Sequence, residues 1–75
     1  MIIVSQDRLS VVDADNIVSF DGNVDEYPQQ VIAVFSNGKG MQLGKFKDNA
    51  RVKEVISEFV TAYAKRDDVF FVPKE

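Results

Sequence analysis

The sequence predicts an α+β domain in which an antiparallel sheet of five or six strands carries one long C-terminal amphipathic helix packed on one face. Two observations predict this class. Short β-branched runs separated by polar turn residues occupy most of the first 46 residues, as is typical of strands. From Asp48 onward the apolar residues recur at helical spacing. Because a chain of 75 residues has room for one core, we expect residues 1–75 to form a single domain.

Three strands are predicted in the N-terminal part of the chain. Their apolar runs are Ile2–Val4, Leu9–Val12 and Ile17–Phe20, with the polar segments SQDR and DADN between them. The first two runs are close enough to form a hairpin. Residues 21–28 are acidic and turn-rich, and Pro28 disfavours helical backbone at the residue before it, so we expect a loop here.

The segment QQVIAVFSNGKGMQLGKF predicts a β-hairpin, because Asn37-Gly38 favours the positive backbone angles of a two-residue type I′ turn. A turn of three or four residues would shift the cross-strand pairs by one or more positions. The pairs expected for the two-residue turn are Val34 with Met41, Ile32 with Leu43, Phe35 with Gly40 and Val31 with Gly44.

Alternation along the hairpin predicts which side of the sheet the helix covers. Ile32 and Val34 point to one side, and we expect the helix there. Val31, Ala33 and Phe35 then point to the other side, which one helix leaves open. Such an open apolar surface predicts a self-association face that is buried in a two-fold dimer. The alternative is that the N-terminal strands fold over this face as a second layer of the monomer.

One amphipathic helix of roughly four to five turns is predicted after Asp48, which suits the N-cap position. Lys65 and Arg66 suit the negative end of the helix dipole. The apolar residues expected on its core face are Val52, Val55, Ile56, Phe59, Val60 and Tyr63.

A last strand is predicted for Val69–Val72, which is a short apolar run ended by Pro73. We expect it at an edge of the sheet, where proline is tolerated.

Composition limits the chemistry that the chain can perform. The sequence has no cysteine and no histidine, which excludes disulfide bonds, thiolate metal sites and a histidine general base. No nucleophile-base motif is recognisable among the remaining residues, so we predict a protein without enzymatic activity, cofactor or bound metal. The N-terminal residues do not resemble a signal peptide, and no apolar run has membrane length, so we expect a cytoplasmic location and no membrane association.

Two motifs resemble binding loops only in part. Gly40 and Gly44-Lys45 lack the spacing of a phosphate-binding loop, and Phe46 stands where such a loop has Ser or Thr. The acidic segment DGNVDE has the alternation of a calcium loop, but Glu26 occupies the position of its required glycine. We therefore interpret the first motif as hairpin glycines and the second as a solvated acidic loop.

Charge is distributed unevenly along the chain. Residues 1–36 carry one basic and six acidic side chains, whereas residues 37–53 carry five basic ones and one acidic. A cluster of this kind is either a solvated face or a contact patch for phosphates or an acidic protein surface. The residues of this predicted basic patch are Lys39, Lys45, Lys47, Arg51 and Lys53.

Several segments together resemble a group of small uncharacterised proteins of Gram-positive bacteria and their prophages. These segments are SQDR, DNIVSF, the Asn-Gly hairpin and LGKFKDNARVKEVISEF, and the similarity extends from Ile2 to about Tyr63. Its most specific part is Leu43-Gly44 with Phe46 two residues later, followed by the aliphatic helix positions. The resemblance implies a bacterial or phage origin and implies no catalytic residue.

These observations favour a non-enzymatic binding or assembly module that forms a homodimer or binds another protein. The alternative is a nucleic-acid-associated or phage accessory protein that uses the basic patch.

Overall fold

The computed structural model describes every residue from Met1 to Glu75 and contains six β-strands, one α-helix and one short 3-10 helix. The 3-10 helix, Ala14–Asn16, connects the second and third strands. In chain order the other elements are β1 (Ile2–Val4), β2 (Val11–Asp13), β3 (Ile17–Asn23), β4 (Gln29–Phe35), β5 (Gly40–Phe46), α1 (Asn49–Ala64) and β6 (Val69–Phe71).

The strands form two sheets of three strands each rather than one sheet. The small sheet has the order β2-β1-β6 and the large sheet the order β3-β4-β5. β1 and β6 are parallel, and the other neighbouring strands are antiparallel. The α+β class is confirmed, whereas the prediction of a single antiparallel sheet was wrong. The division falls at the 3-10 helix, where the Asp13 carboxylate accepts a hydrogen bond from the Asp15 N–H and the chain turns away from β2.

β4 and β5 form the predicted hairpin, but its turn is longer by one residue. Gly38 has a φ of 85°, in the left-handed region that glycine adopts without strain. The Phe35 N–H donates to the Lys39 carbonyl at 2.8 Å, which closes a loop over residues 36–38. A loop of this length that contains a left-handed glycine is a common hairpin connection.

The longer turn shifts the cross-strand register next to it. Val34 lies opposite Gly40 instead of Met41. The register changes between Val31 and Ile32, and a bulge on β5 accounts for the extra residue. Beyond the bulge Val31 lies opposite Gly44, which is the predicted pair.

The buried face of the large sheet is the one opposite to the prediction. At its centre Val31 lies between Gly22 on β3 and Gly44 on β5, and its side chain is 0% exposed. A Cβ atom on Gly22 would lie 2.7 Å from Cγ1 of Val52 in the helix. A Cβ atom on Gly44 would lie 3.0 Å from Cγ1 of Val72 in the C-terminal segment. The two glycines therefore allow the helix and the C-terminal segment to approach the sheet on either side of Val31.

The core face was predicted to be the one that carries Ile32 and Val34, because apolar residues alternate onto it while the other face includes glycines. Ile32 and Val34 instead lie half-buried on the side of the large sheet that points away from the helix. Val31 and Ala33 are each 0% exposed on the inner side. Close packing against two other elements requires small neighbours, and the inner side provides them as glycines.

The small sheet supplies the second layer that the sequence left open as an alternative. Ile3, Val12 and Phe70, one from each of its strands, are buried in the common core. The ring of Phe59 in α1 stacks on Phe20 of β3 with centroids 4.1 Å apart, and it meets Phe70 edge-on at 5.4 Å. These aromatic contacts join the large sheet, the helix and the small sheet.

The helix begins where the sequence predicts. Asp48 is the N-cap, and its Oδ1 accepts a hydrogen bond from the Arg51 N–H at 2.8 Å. At the other end Arg66 has a φ of 61°, and the Asp67 N–H donates to the Ala62 carbonyl at 3.0 Å. These are the features of a Schellman motif, which ends the helix by hydrogen-bonding its last carbonyls.

The core face of the helix is narrower than predicted. Val52 and Val55 are buried as expected, together with Ala62. Val60 and Tyr63, which the spacing also predicts for the core, are each 58% exposed. This helix is too short and too polar to span a membrane.

Gln6, in the turn after β1, connects the two sheets. Its backbone N–H donates to the carbonyl of the bulged residue Leu43 at 2.7 Å. Its side-chain oxygen accepts from the Lys45 N–H, and its side-chain nitrogen donates to the Lys45 carbonyl, both at 2.9 Å. The same nitrogen donates to the Pro73 carbonyl at 3.1 Å. One side chain therefore holds β5 and the C-terminal segment together.

Candidate functional site

The predicted self-association face lies inside the protein. Val31 and Ala33 are completely buried, and Phe35 is half-buried against the core. The helix and the small sheet cover these residues within one chain, so they are not available to a second copy. The prediction of a dimer through Val31, Ala33 and Phe35 was therefore wrong.

The predicted basic patch is divided in space. Lys45, Lys47 and Arg51 line one cleft between the end of β5 and the first turn of α1. Lys39 lies at the hairpin turn and Lys53 on the exposed part of the helix, and neither of them lines this cleft. The structure brings three of the five residues together and leaves the other two outside.

Arg51 is already engaged by other groups of the chain. Its Nη1 lies 2.8 Å from Oε2 of Glu58 and 3.5 Å from Oε1 of Glu54. Its Nε donates to the Glu75 carbonyl at 2.7 Å, and its guanidinium lies 6.0 Å from the centre of the Phe46 ring. Arg51 therefore holds the C-terminal segment against the helix and has little capacity left for a ligand.

The cleft itself has a volume of about 640 Å³. Lys74, which the sequence did not connect with the basic patch, adds a further ammonium group to its lining. Lys45, Lys47 and Lys74 form no ion pair, since both ion pairs of the chain involve Arg51. Tyr27, 80% exposed, also lines the cleft, and the acidic residues Asp48, Glu54 and Glu75 line it as well. The cleft combines free ammonium groups with an exposed aromatic ring, and its overall charge is nearly balanced.

One uncovered apolar surface is the side of the small sheet that faces away from the core, which we call the outer face. Its side chains form two rows across the strands, since β1 pairs with both neighbours. Val11 is 62% exposed, Phe71 55%, Ile2 39% and Val69 36%. Alternation along a three-residue strand sends one residue to the core and two outward, so this face follows directly from the pairing. The residues of the outer face are Ile2, Val4, Val11, Asp13, Val69 and Phe71.

Opposite charges stand at the two ends of the outer face. At one end the Arg8 guanidinium lies 5.1 Å from the centre of the Phe71 ring and donates to the Val72 carbonyl at 2.8 Å. At the other end Asp13 lies opposite Ile2 in the small sheet. Asp68 precedes β6 at the same end, and its carbonyl accepts a hydrogen bond from the Ile2 N–H.

The turn between β1 and β2 contains the one carboxyl group with a clearly shifted pKa. The Ser5 hydroxyl donates to Oδ1 of Asp7 at 2.6 Å, and the Leu9 N–H donates to the same oxygen at 2.9 Å. These hydrogen bonds stabilise the carboxylate and lower the pKa of Asp7 below its usual range. Ser5 is buried, and its oxygen also accepts from the Ser10 N–H at 3.1 Å. The serine and the carboxylate therefore stabilise the turn.

The acidic segment around β3 does not gather its carboxylates into a ligand set. Asp21 accepts a hydrogen bond from the Ser19 hydroxyl, and the Asn23 side chain accepts one from the Asp25 N–H. No three acidic side chains of the chain converge in the way that a metal ion requires.

Comparisons with protein-family models, with curated proteins and with solved structures found no match. The resemblance to small proteins of Gram-positive bacteria and their prophages therefore stays a prediction, and the function has to be inferred from the surfaces of this chain.

Proposed function

We propose that this protein is a non-enzymatic binding module that self-associates through the outer face of the small sheet. The observation that supports this proposal is the exposure of Val11 and Phe71 beside Ile2 and Val69, which form one contiguous apolar surface. Burying apolar area drives most association, and contiguous exposed apolar surface is where such contacts form. The partner is a second copy of the chain, arranged about a two-fold axis.

Charge complementarity supports a second copy as the partner. Arg8 lies at one end of the outer face, and Asp13 lies at the other end. A two-fold axis that lies in the interface and runs across the strands reverses the strand direction of the second copy, so that the Arg8 end of each chain faces the Asp13 end of the other. Favourable charge pairs at both edges fix the orientation of two apolar surfaces.

The size of the outer face predicts a weak dimer. Three strands of three residues each form a face of roughly 10 by 14 Å, from the spacing of residues and strands in a sheet. A stable dimer commonly buries about 800 Å² on each partner, which is several times this area. Leu9, 85% exposed in the adjoining turn, enlarges the surface. We therefore expect monomer and dimer to exchange at micromolar to millimolar concentration.

Sedimentation velocity over that concentration range tests the proposal. The wild-type mass should rise from the monomer value of 8.4 kDa toward twice that value as the concentration increases. Val11→Lys should remain at the monomer mass, because it places an ammonium group in the apolar face. Val18→Lys is the matched control, since Val18 has a similar exposure of 67% but lies on β3. A wild-type protein that stays monomeric at millimolar concentration would contradict the proposal.

Nucleic-acid binding in the basic cleft is the second candidate. It is favoured by Lys45, Lys47 and Lys74, which are free of ion pairs, and by the exposed ring of Tyr27, on which a base would stack. The acidic residues of the same cleft weaken its attraction for phosphate, and for this reason it ranks second.

Titration of a labelled single-stranded oligonucleotide at several salt concentrations tests this second candidate. Binding should weaken steeply as salt rises, because phosphate contacts release counterions. Lys47→Glu should reduce the affinity strongly, whereas Lys53→Glu, outside the cleft, should change it only slightly. Equal effects of the two substitutions would indicate a diffuse charge effect and no site in the cleft.

A further inference from the structure

A second uncovered surface lies between the edge of β3 and one side of the helix, on a different part of the molecule from the outer face. Here a groove of about 190 Å³ is lined mainly by apolar side chains, among them Ile17 and Val18 of β3. The stacked rings of Phe20 and Phe59 also line the groove, and Tyr63 lines it from the last turn of the helix. A groove of this volume suits one large apolar side chain.

Exposed apolar residues extend the groove along the helix. Val60 follows Ile56 by four positions and precedes Tyr63 by three, so these three residues share one side of α1. Val60 and Tyr63 are each 58% exposed, and Val18 across the groove is 67% exposed. A helix face that packed fully within this chain would not carry such residues.

The strand that borders the groove has a free edge. β3 pairs with β4 on one side and with no strand on the other. A bulge at Val18 interrupts its pairing, and residues 19–23 beyond the bulge are regular. In this regular part Ser19, Asp21 and Asn23 point outward, while Phe20 and Gly22 point toward the helix. A strand added at this edge would meet polar, acidic neighbours on one face and apolar neighbours on the other.

A second cavity lies beside the groove. Tyr63 lines both the groove and an adjacent cavity of about 380 Å³. Asp15, Asp67 and Asp68 line this cavity with Arg66 and the N-terminal residue Met1, and none of these groups forms an ion pair. Three carboxylates and two cationic groups therefore leave this cavity with a small excess of negative charge.

We propose that β3 and this groove bind an extended segment of a partner protein in which apolar and basic residues alternate. The segment adds as a fourth strand beside residues 19–23, and its backbone pairs with the free edge of β3. Its apolar side chains pack between Phe20 and the exposed side of α1, and its basic side chains lie beside Asp21 on the other face of the sheet. The alternation matches the period of a strand, so one segment satisfies both faces.

A second copy of this chain does not suit the edge. Antiparallel pairing of residues 19–23 with the same segment of a second chain, centred on Asp21, would bring the two Asp21 carboxylates close together. Like charges opposite each other on a sheet are destabilising, and nothing in β3 offsets them. The chemistry of the edge calls for a basic partner, and β3 contains no basic residue.

Backbone amide chemical shifts, measured by NMR during titration with short capped peptides, test the proposal. The probes are a peptide that alternates leucine with lysine, one that alternates leucine with glutamate, and one that alternates serine with lysine. The Val11→Lys variant serves as the background protein, so that self-association through the outer face does not compete. The leucine-lysine peptide should shift the amides of residues 17–23 and of Tyr63, and the other two peptides should bind much more weakly.

Matched substitutions separate this site from the outer face. Val18→Lys, added to the background variant, should lower the affinity for the leucine-lysine peptide about tenfold or more, because it places a like charge in the groove. Lys53→Ala, on the exposed part of the helix, is the control and should leave the affinity unchanged. The proposal is overturned if the leucine-glutamate peptide binds equally well, if the shifted amides lie elsewhere, or if no shift appears at millimolar peptide. A failure of dimerisation in the wild type would leave these outcomes unaffected.

Discussion

Replacing Gly22 by alanine tests whether the helix covers the face of the large sheet on which Val31 lies. The added Cβ would lie 2.7 Å from Cγ1 of Val52 and 3.0 Å from Cδ1 of Ile56. Non-bonded carbon atoms prefer about 3.5–4.0 Å, so the neighbours have to move by up to about 1 Å. Ile56 presents the end of a flexible, half-buried side chain and can give way, whereas Val52 is 1% exposed and belongs to the packed core.

The expected size of the effect follows from two opposing contributions. Overpacking a well-packed core typically costs about 1–3 kcal/mol. Replacing glycine reduces the entropy of the unfolded chain and offsets about 0.4–1 kcal/mol of that cost. We therefore expect Gly22→Ala to lower the free energy of unfolding by about 1–2 kcal/mol. For a domain of this size the melting temperature should fall by roughly 5–15 °C.

Thermal and chemical unfolding followed by circular dichroism measure this effect, and a second substitution identifies its cause. Val52→Ala removes the methyl group that the new Cβ would meet, so the double variant should be less destabilised than the sum of the two single variants. Gly40→Ala is the control. Its Cβ would lie 3.2 Å from Cγ2 of Ile32, a half-buried side chain on the side of the large sheet that points away from the helix. An unchanged or raised melting temperature for Gly22→Ala, or strictly additive effects, would refute this placement of the helix.

Three further substitutions test the turn, the aromatic cluster and the hydrogen-bonded carboxylate. Gly38→Ala should lower the free energy of unfolding by about 1 kcal/mol or more, because φ is 85° at this position. Lys39→Ala, the control, should leave chemical unfolding unchanged. Equal effects of the two substitutions would place the turn elsewhere. Phe59→Ala should cost about 2–3 kcal/mol, below the usual cost for a fully buried ring, because Phe59 is half-buried; a wild-type melting curve would contradict its place in the cluster. Ser5→Ala should raise the pKa of Asp7 toward its usual value in an NMR titration. A lowered carboxyl pKa stabilises the fold at neutral pH, and this contribution is lost as the pH falls through the folded-state pKa. The loss of unfolding free energy caused by Ser5→Ala should therefore be larger at neutral pH than in acid. A loss that is the same at both pH values would argue against the hydrogen bond.

The candidate surfaces were only partly predictable from the sequence. The basic patch was predicted because its residues are close along the chain, yet Lys39 and Lys53 lie outside the cleft and Lys74 joins it from a distant segment. The outer face was not predicted, because it too is assembled from distant segments of the chain. Val11 and Phe71 are far apart in the sequence, and only their pairing with the same strand brings them together. One signal of this face was present in the sequence. β1 and β6 are apolar at every position, and a strand of that kind has two apolar faces.

The register of the hairpin shows how a local motif depends on a distant contact. Asn37-Gly38 predicts a hairpin, and this was confirmed, but the dipeptide suits loops of two and of three residues. The three-residue loop requires a compensating bulge on β5 to retain the pairing of the remaining residues. At the bulge the Leu43 carbonyl accepts a hydrogen bond from the Gln6 N–H, which comes from the turn after β1. The exact pairing therefore depends on a contact between the two sheets.

The sequence by itself determined the local elements of this protein. The helix with its Asp48 cap, the hairpin and the short strands follow from periodicity, capping and turn chemistry, all of which act between residues close in the chain. Tertiary structure decided how the strands divide into two sheets and which side of the large sheet is buried. That choice depends on Gly22 and Gly44, because the absence of a side chain matters only when another element approaches. The side that accepts both the helix and the small sheet at close distance becomes the core, whatever the size of the side chains on the other side.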